Sequence, residues 1–272
     1  MSQNTAAKTA PASKGEDEVL ITGPRVRDAI PPVLTFVGLL ILWEASCRYF
    51  EIPRWLLPSP ADIYQAFRES GHELWGHSLI TLYETLVGFA LSIAVALPLA
   101  VIIVWSPILR RTVYPVLLAL QSVPKVAVAP LLALWIGFGT LSKVLVVFLI
   151  CFFPIVVGAT TGLASVQPAV MDLIRSLSAT QMQTFIKIRF PTAMPHIFVG
   201  LKIAITLAVI GAVIGEFVGS EEGLGYIILV SSSQARTPLA FAALVLLTVM
   251  SVILYYIVEF VEKILVPWAP RN

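Results

Sequence analysis

The chain predicts an all-α, polytopic transmembrane helical bundle of about six spans, and three observations carry that expectation. Hydrophobic residues make up 58% of the 272 and charged residues only 12%, against about 25% charged in a soluble domain. Six mostly apolar runs lie near the length of about 20 residues that a spanning helix needs, at 30–47, 79–105, 114–137, 143–165, 196–218 and 238–265. The alternation of polar and apolar residues that marks a membrane barrel strand is absent.

Taken in order, residues 1–29 read as a disordered cytoplasmic tail, polar and carrying the run Glu16-Asp17-Glu18. The transmembrane domain is expected over 30–272. Ala45-Ser46-Cys47 faintly echoes a lipoprotein signal, but Glu44 stands where such a site wants an aliphatic residue, so 30–47 reads as a first span. An outer segment follows at 48–78. Pro58 and Pro60 stiffen it, and Ser59 or Asp62 can cap a short helix starting near Pro60. Ile63, Ala66 and Phe67 then share a face suited to lying on the membrane surface. His72 and His77 fall on different sides of such a helix, which makes them polar interfacial residues and no metal pair. Cys47 and Cys151, far apart and each inside a span, read as buried small residues.

Ionisable residues inside spans are costly and demand a reason. Lys125 falls midway along 114–137, between Pro124 and Pro130, whose rings free backbone carbonyls toward a water-filled cavity. It meets an anionic substrate or pairs with Glu84 across the bundle. Glu44, Glu84 and Glu216 stand near the outer ends of spans, where snorkelling or capping explains them as readily as function. Lys202 is expected to snorkel inward.

One polar island interrupts the oily sequence at 166–195. It holds Asp172, Arg175, Lys187 and Arg189, forms two helix-length halves around Ser178-Ala179-Thr180, and closes with Phe190-Pro191. Leu173, Ile174 and Leu177 share one face of the first half, which suits a groove on a partner. The distribution of Lys and Arg places both termini and this island in the cytoplasm, with Lys143 and Arg236 outside. Trp43, Trp105, Trp135 and Trp268 near span ends agree with spans of these lengths.

From about Leu57 onward the chain resembles a permease of the nitrate/sulfonate/taurine branch of ATP-binding-cassette (ABC) importers. The resemblance rests on Leu57-Pro58-Ser59-Pro60, Thr81-Leu82-Tyr83-Glu84 through Gly88-Phe89, and Val123-Pro124-Lys125 through Pro130. Leu134 through Gly139, Asp172 through Pro195, Gly215-Glu216 and Gly223-Leu224-Gly225-Tyr226 complete it. The Val-Pro-Lys variant is most similar to permeases for thiamine-precursor pyrimidines or riboflavin, with sulfonate and nitrate carriers close behind.

The resemblance implies a type I importer permease in the bacterial inner membrane. ATPase subunits would dock on Asp172, Leu173, Ile174, Arg175, Leu177, Ser178, Ala179 and Pro191. A second permease copy would complete the pathway beside Lys125, Pro124, Pro130, Glu84 and Glu216. A periplasmic or lipid-anchored binding protein would deliver substrate. The family's loop opens with Glu-Ala-Ala and carries Gly six residues after the Glu. Here Asp172-Leu173-Ile174 and Ser178 take those positions, so either the turn is less strained than usual or a partner holds it. No cofactor is expected on this chain, since it has no Gly-x-x-x-x-Gly-Lys-Ser/Thr motif and ATP would be hydrolysed by the partner. No metal cluster and no nucleic-acid partner is expected either. Two other classes remain: an ion-coupled secondary transporter, which would need repeats and mid-bilayer carboxylates, and a membrane-embedded enzyme, which would need convergent catalytic side chains.

Overall fold

A computed structural model of the chain describes residues 26–268, and side chains from residue 31 with Pro32 excepted. The expected tail lies outside the described residues up to position 25, and its last residues already belong to a helix. Ten α-helices follow: α1 (Val26–Tyr49), α2 (Pro60–Trp105), α3 (Pro107–Gln121), α4 (Lys125–Ile136) and α5 (Thr140–Ala164). Then come α6 (Pro168–Ser176), α7 (Gln181–Thr184), a π-helical turn (Phe185–Arg189), α8 (Phe190–Phe217), α9 (Leu224–Ser233) and α10 (Thr237–Leu265).

The all-α expectation holds among the described residues, which do not by themselves confirm the expected number of spans. Among the described residues four helices are long and apolar enough to cross a membrane: α2, α5, the continuous helix Gln181–Phe217, and α10. The run 114–137, expected as one span, is two helices, α3 and α4, bent by 93° at their junction, and they make a fifth span only if counted together. At 1.5 Å per residue neither half reaches across about 30 Å of hydrocarbon alone. The expected first span is helical in α1. Its clean apolar stretch, however, runs only from Val33 to Trp43 before the Glu44–Arg48 ion pair of 2.6 Å begins its polar end.

The short surface helix expected after Pro60 is instead the start of α2. Ser59 caps it in a reciprocal box with Asp62, as the sequence suggests, and the helix continues through one non-helical residue, Ser70, to Trp105. Ile63 and Ala66 are buried in the protein core with Phe67 packed beside them, so this face meets the protein rather than the membrane surface. Glu44 caps the same helix start from α1, its carboxylate accepting the Ala61 N–H at 3.1 Å.

The core is built around α5, which packs along α8 on one side and α2 on the other, while α10 closes over α8, α9 and α2. Small residues explain the closeness of α5 to α8. A Cβ on Gly200 would stand 2.8 Å from the Pro154 carbonyl oxygen, and one on Gly162 would stand 2.9 Å from that of Ala193. In lipid, where burial of apolar surface supplies little, such close approach is what holds helices together. Cys47 and Cys151 are free and buried, as expected. Lys202 does not snorkel alone: it pairs with Glu262 of α10 at 2.7 Å.

Candidate functional site

The polar island folds into α6, a turn, and α7 running through the π-helical turn into α8. Pro168 starts α6 at a position where a missing N–H costs nothing. Thr180 caps α7 in a reciprocal box with Gln183. Between them Ser178 adopts φ 54°, so the turn takes the left-handed conformation that Gly would enter freely, and takes it with a Cβ present. Leu173 and Leu177 stand exposed on one face of α6, at 60% and 72%, with Ile174 half-buried beside them. Asp172 and Arg175 pair with each other in solvent at 3.1 Å, and Ala179 lies half-buried in the turn. α6 packs hardly at all against the other described helices. Pro191 does not close the segment: it sits in the first turn of α8 within a continuous helix, where its carbonyl accepts the Trp268 indole N–H at 3.2 Å.

Lys125 is not midway through a span. It is the first residue of α4, at the bend, with Pro124 as the N-cap. Its ammonium donates to the Gln121 carbonyl of the last turn of α3 at 2.7 Å and lies 4.9 Å from the centre of the Phe153 ring. It thus satisfies one of the carbonyls that α3 leaves free at its C-terminus. Pro130 sits inside α4, leaving the Val126 carbonyl without its helical donor.

Of the two alternatives for Lys125, the pairing with Glu84 does not form. Glu84 is fully buried and meets Lys143 of α5 at 2.5 Å, while no carboxylate pairs with Lys125 among the described residues. Distance along the chain hid this partnership, and the signal that was present is that both residues are ionisable and both fall at the same end of their spans. Glu216 is also fully buried, so neither carboxylate snorkels. One Glu216 oxygen accepts the Thr81 hydroxyl at 2.6 Å and the other accepts the Gly225 N–H at 2.5 Å, in the first turn of α9. Thr81 in turn accepts the Leu224 N–H at 2.9 Å. A carboxylate at a helix N-terminus satisfies free donors and complements the helix dipole, so capping is the role that fits Glu216.

His77, expected to be merely interfacial, accepts the Gly223 N–H through Nδ1 at 2.9 Å. Gly223 has φ 107°, and a Cβ there would run into the Glu216 carboxylate, so only Gly fits. Lys143 also donates to Ser220 Oγ at 3.0 Å. Together Thr81, Glu84, Lys143, Glu216 and His77 tie the turn at 218–225 to α2 and α5. No group of side chains able to hold a metal ion occurs among the described residues.

Residues 88–269 match the model of the family described as binding-protein-dependent transport system inner membrane component. The chain is 37% identical to the formylaminopyrimidine transport permease of Halalkalibacterium halodurans, over 91% of this chain and 99% of that one. It is 36% identical to the riboflavin transport system permease of Chloroflexus aurantiacus, over 90% of this chain and 95% of that one. Its fold is similar to that of an inward-facing MetNI methionine ABC transporter chain, with TM-score 0.58, 24% identity, and coverage of 71% of this chain and 94% of that one.

Proposed function

The chain belongs to the family of binding-protein-dependent transport inner-membrane components, as the permease subunit of an ABC importer, and on that premise we propose that it passes a small heteroaromatic nutrient across the membrane on power drawn from separate ATPase subunits. It is a transport subunit and not an enzyme, as its relatives are. The substrate class, close to a thiamine-precursor pyrimidine or a flavin, rests on the extent of the match to the formylaminopyrimidine and riboflavin permeases. The observation that carries the powered mechanism is α6. It exposes Leu173 and Leu177 on a helix that the rest of the bundle leaves almost uncovered. Burying one such side chain is worth about 1.5–3 kcal/mol, which a soluble partner's groove would recover.

In this reading the N- and C-termini and the 166–195 loop lie in the cytoplasm. Asp172, Leu173, Ile174, Arg175, Leu177, Ser178, Ala179 and Pro191 belong to the docking surface, with the ATPase holding the left-handed Ser178 turn. A second copy of the chain completes the pathway, and a binding protein hands substrate to the end that carries Glu84 and Glu216. Lys125, at the bend between α3 and α4 beside Pro124 and Pro130, faces that pathway with no carboxylate paired to it among the described residues. Liposomes carrying the permease with its co-expressed ATPase test this. Uptake of a formylaminopyrimidine or of riboflavin, delivered by the cognate binding protein, should require ATP on the side of Ser178. Uptake driven by an imposed ion gradient with no ATP would refute the powered mechanism in favour of a secondary transporter.

A further inference from the structure

A cavity of about 490 Å³ lies where the end of α2 turns into α3, lined by Val104, Pro107, Arg110, Arg111 and Arg189. Arg110 and Arg111 come from the first turns of α3, and Arg189 comes from the π-helical turn before α8, so elements far apart in sequence bring these cations together. None of the three joins an ion pair among the described residues. Guanidinium groups that line one cavity repel one another, which an anion among them relieves, and their planar forks match phosphate oxygens.

Two neighbouring cavities say what kind of anion fits. One of about 440 Å³ shares Val104, Pro107 and Arg189, reaches Trp105, and is closed on its other side by Met171, Arg175, Ala179 and Gln181 of the 166–195 loop. Another, of about 330 Å³, shares Val104 and Arg110 and continues beside Ile103 and Tyr114 to Thr160, Thr161 and Ser165 at the end of α5. A basic mouth therefore adjoins a mostly apolar groove between α2, α3 and α5, with the Trp105 indole beside it, a side chain that favours the headgroup region. An acidic protein loop would use the arginines and leave the groove empty. A molecule with a charged head and an oily tail uses both.

We propose that Arg110, Arg111 and Arg189 hold the phosphate headgroup of an anionic phospholipid whose acyl chain lies along Val104 and Tyr114. Basic pockets between spanning helices are a general means of gripping such headgroups. This inference needs the chain to be a membrane protein but does not depend on the proposed substrate or on the ATPase.

The test is native mass spectrometry of the purified full-length chain with dioleoyl-phosphatidylglycerol, dioleoyl-phosphatidylcholine or inorganic phosphate. The wild type should retain phosphatidylglycerol in preference to phosphatidylcholine, and Arg110→Gln/Arg189→Gln should reduce that preference about tenfold or more. Lys187→Gln removes an exposed neighbouring charge and should leave it unchanged. Should the glutamine pair fail to fold, Arg110→Lys/Arg189→Lys decides, and is expected to keep a weakened preference. Equal retention by the glutamine pair overturns the proposal, as does an equal loss in Lys187→Gln. Displacement of the lipid by inorganic phosphate would make the site one for free phosphate. Loss of ATPase association with lipid retention intact would assign the arginines to an acidic protein surface.

Discussion

Lys143 on α5 meets Glu84 on α2 at 2.5 Å, and the carboxylate it meets is wholly buried. Apart from this pair, neither Glu84 oxygen accepts a hydrogen bond among the described residues. A buried ion pair gains little over apolar residues of the same size, but removing one member strands the other at a large cost. The pair therefore acts less as a source of stability than as a constraint on which surfaces of α2 and α5 can face each other.

Lys143→Ala should accordingly lower stability by about 3–5 kcal/mol, read as a fall in the melting temperature of the purified protein. Glu84→Leu/Lys143→Met should recover most of that loss. A single variant that melts like the wild type would show that the carboxylate has another source of compensation.

Leu177→Asp tests the exposed face of α6. Because Leu177 is 72% exposed, the change should leave the permease's own stability within about 0.5 kcal/mol. Association with the ATPase should weaken by about tenfold or more, since no apolar side chain then fills the partner's groove and a charge must be desolvated. Co-purification of the ATPase in normal yield with the aspartate variant would refute docking through this face.

Ser178→Gly addresses the left-handed turn. Removing the Cβ at φ 54° should stabilise the turn by about 1 kcal/mol, and Ser178→Val should destabilise it by more. Hydrogen exchange of the amides around Ala179 reports this directly. Faster exchange in the glycine variant would contradict it.

Lys125→Ala separates a pathway role from a purely structural one. The alanine can neither donate to the Gln121 carbonyl nor lie over the Phe153 ring, interactions worth about 1–2 kcal/mol together. Assembly should survive and uptake should fall sharply, with Lys125→Arg restoring it in part. Unchanged uptake would leave Lys125 as a cap of α3 alone.

Local chemistry was legible in the sequence and long-range pairing was not. The Ser59–Asp62 box and the conformational demand at Ser178 each involve a few consecutive residues, so residue type and spacing suffice to read them. The bend at Ser122–Pro124 is different. Prolines at 98, 115, 130, 154 and 195 lie inside continuous helices, so a proline alone does not mark where a helix turns through a right angle. Gln121, Ser122 and Lys125 dip below the apolar run at that bend, but over so few residues that a window of about 19 residues still reads one span. Glu84 presented a similar problem: Lys125 and Lys143 were both lysines in apolar surroundings, and only the packing of α2 against α5 selects between them. The burial of Glu216 depends on the turn at Gly223 coming back over it, which no local pattern announces.

The continuous helix from Gln181 to Phe217 has 37 residues, about 55 Å at 1.5 Å per residue. It begins beside the turn at Ser178 and ends at Glu216. Tilted by about 5° about its middle, a rod of that length moves each end by about 2 Å. The bonds from Thr81 and Gly225 to Glu216 are 2.6 and 2.5 Å long, and a further 2 Å takes both beyond hydrogen-bonding range. Moving as one rigid rod, the helix would carry a tilt of that size from the Ser178 end to the bonds that fasten the 218–225 turn.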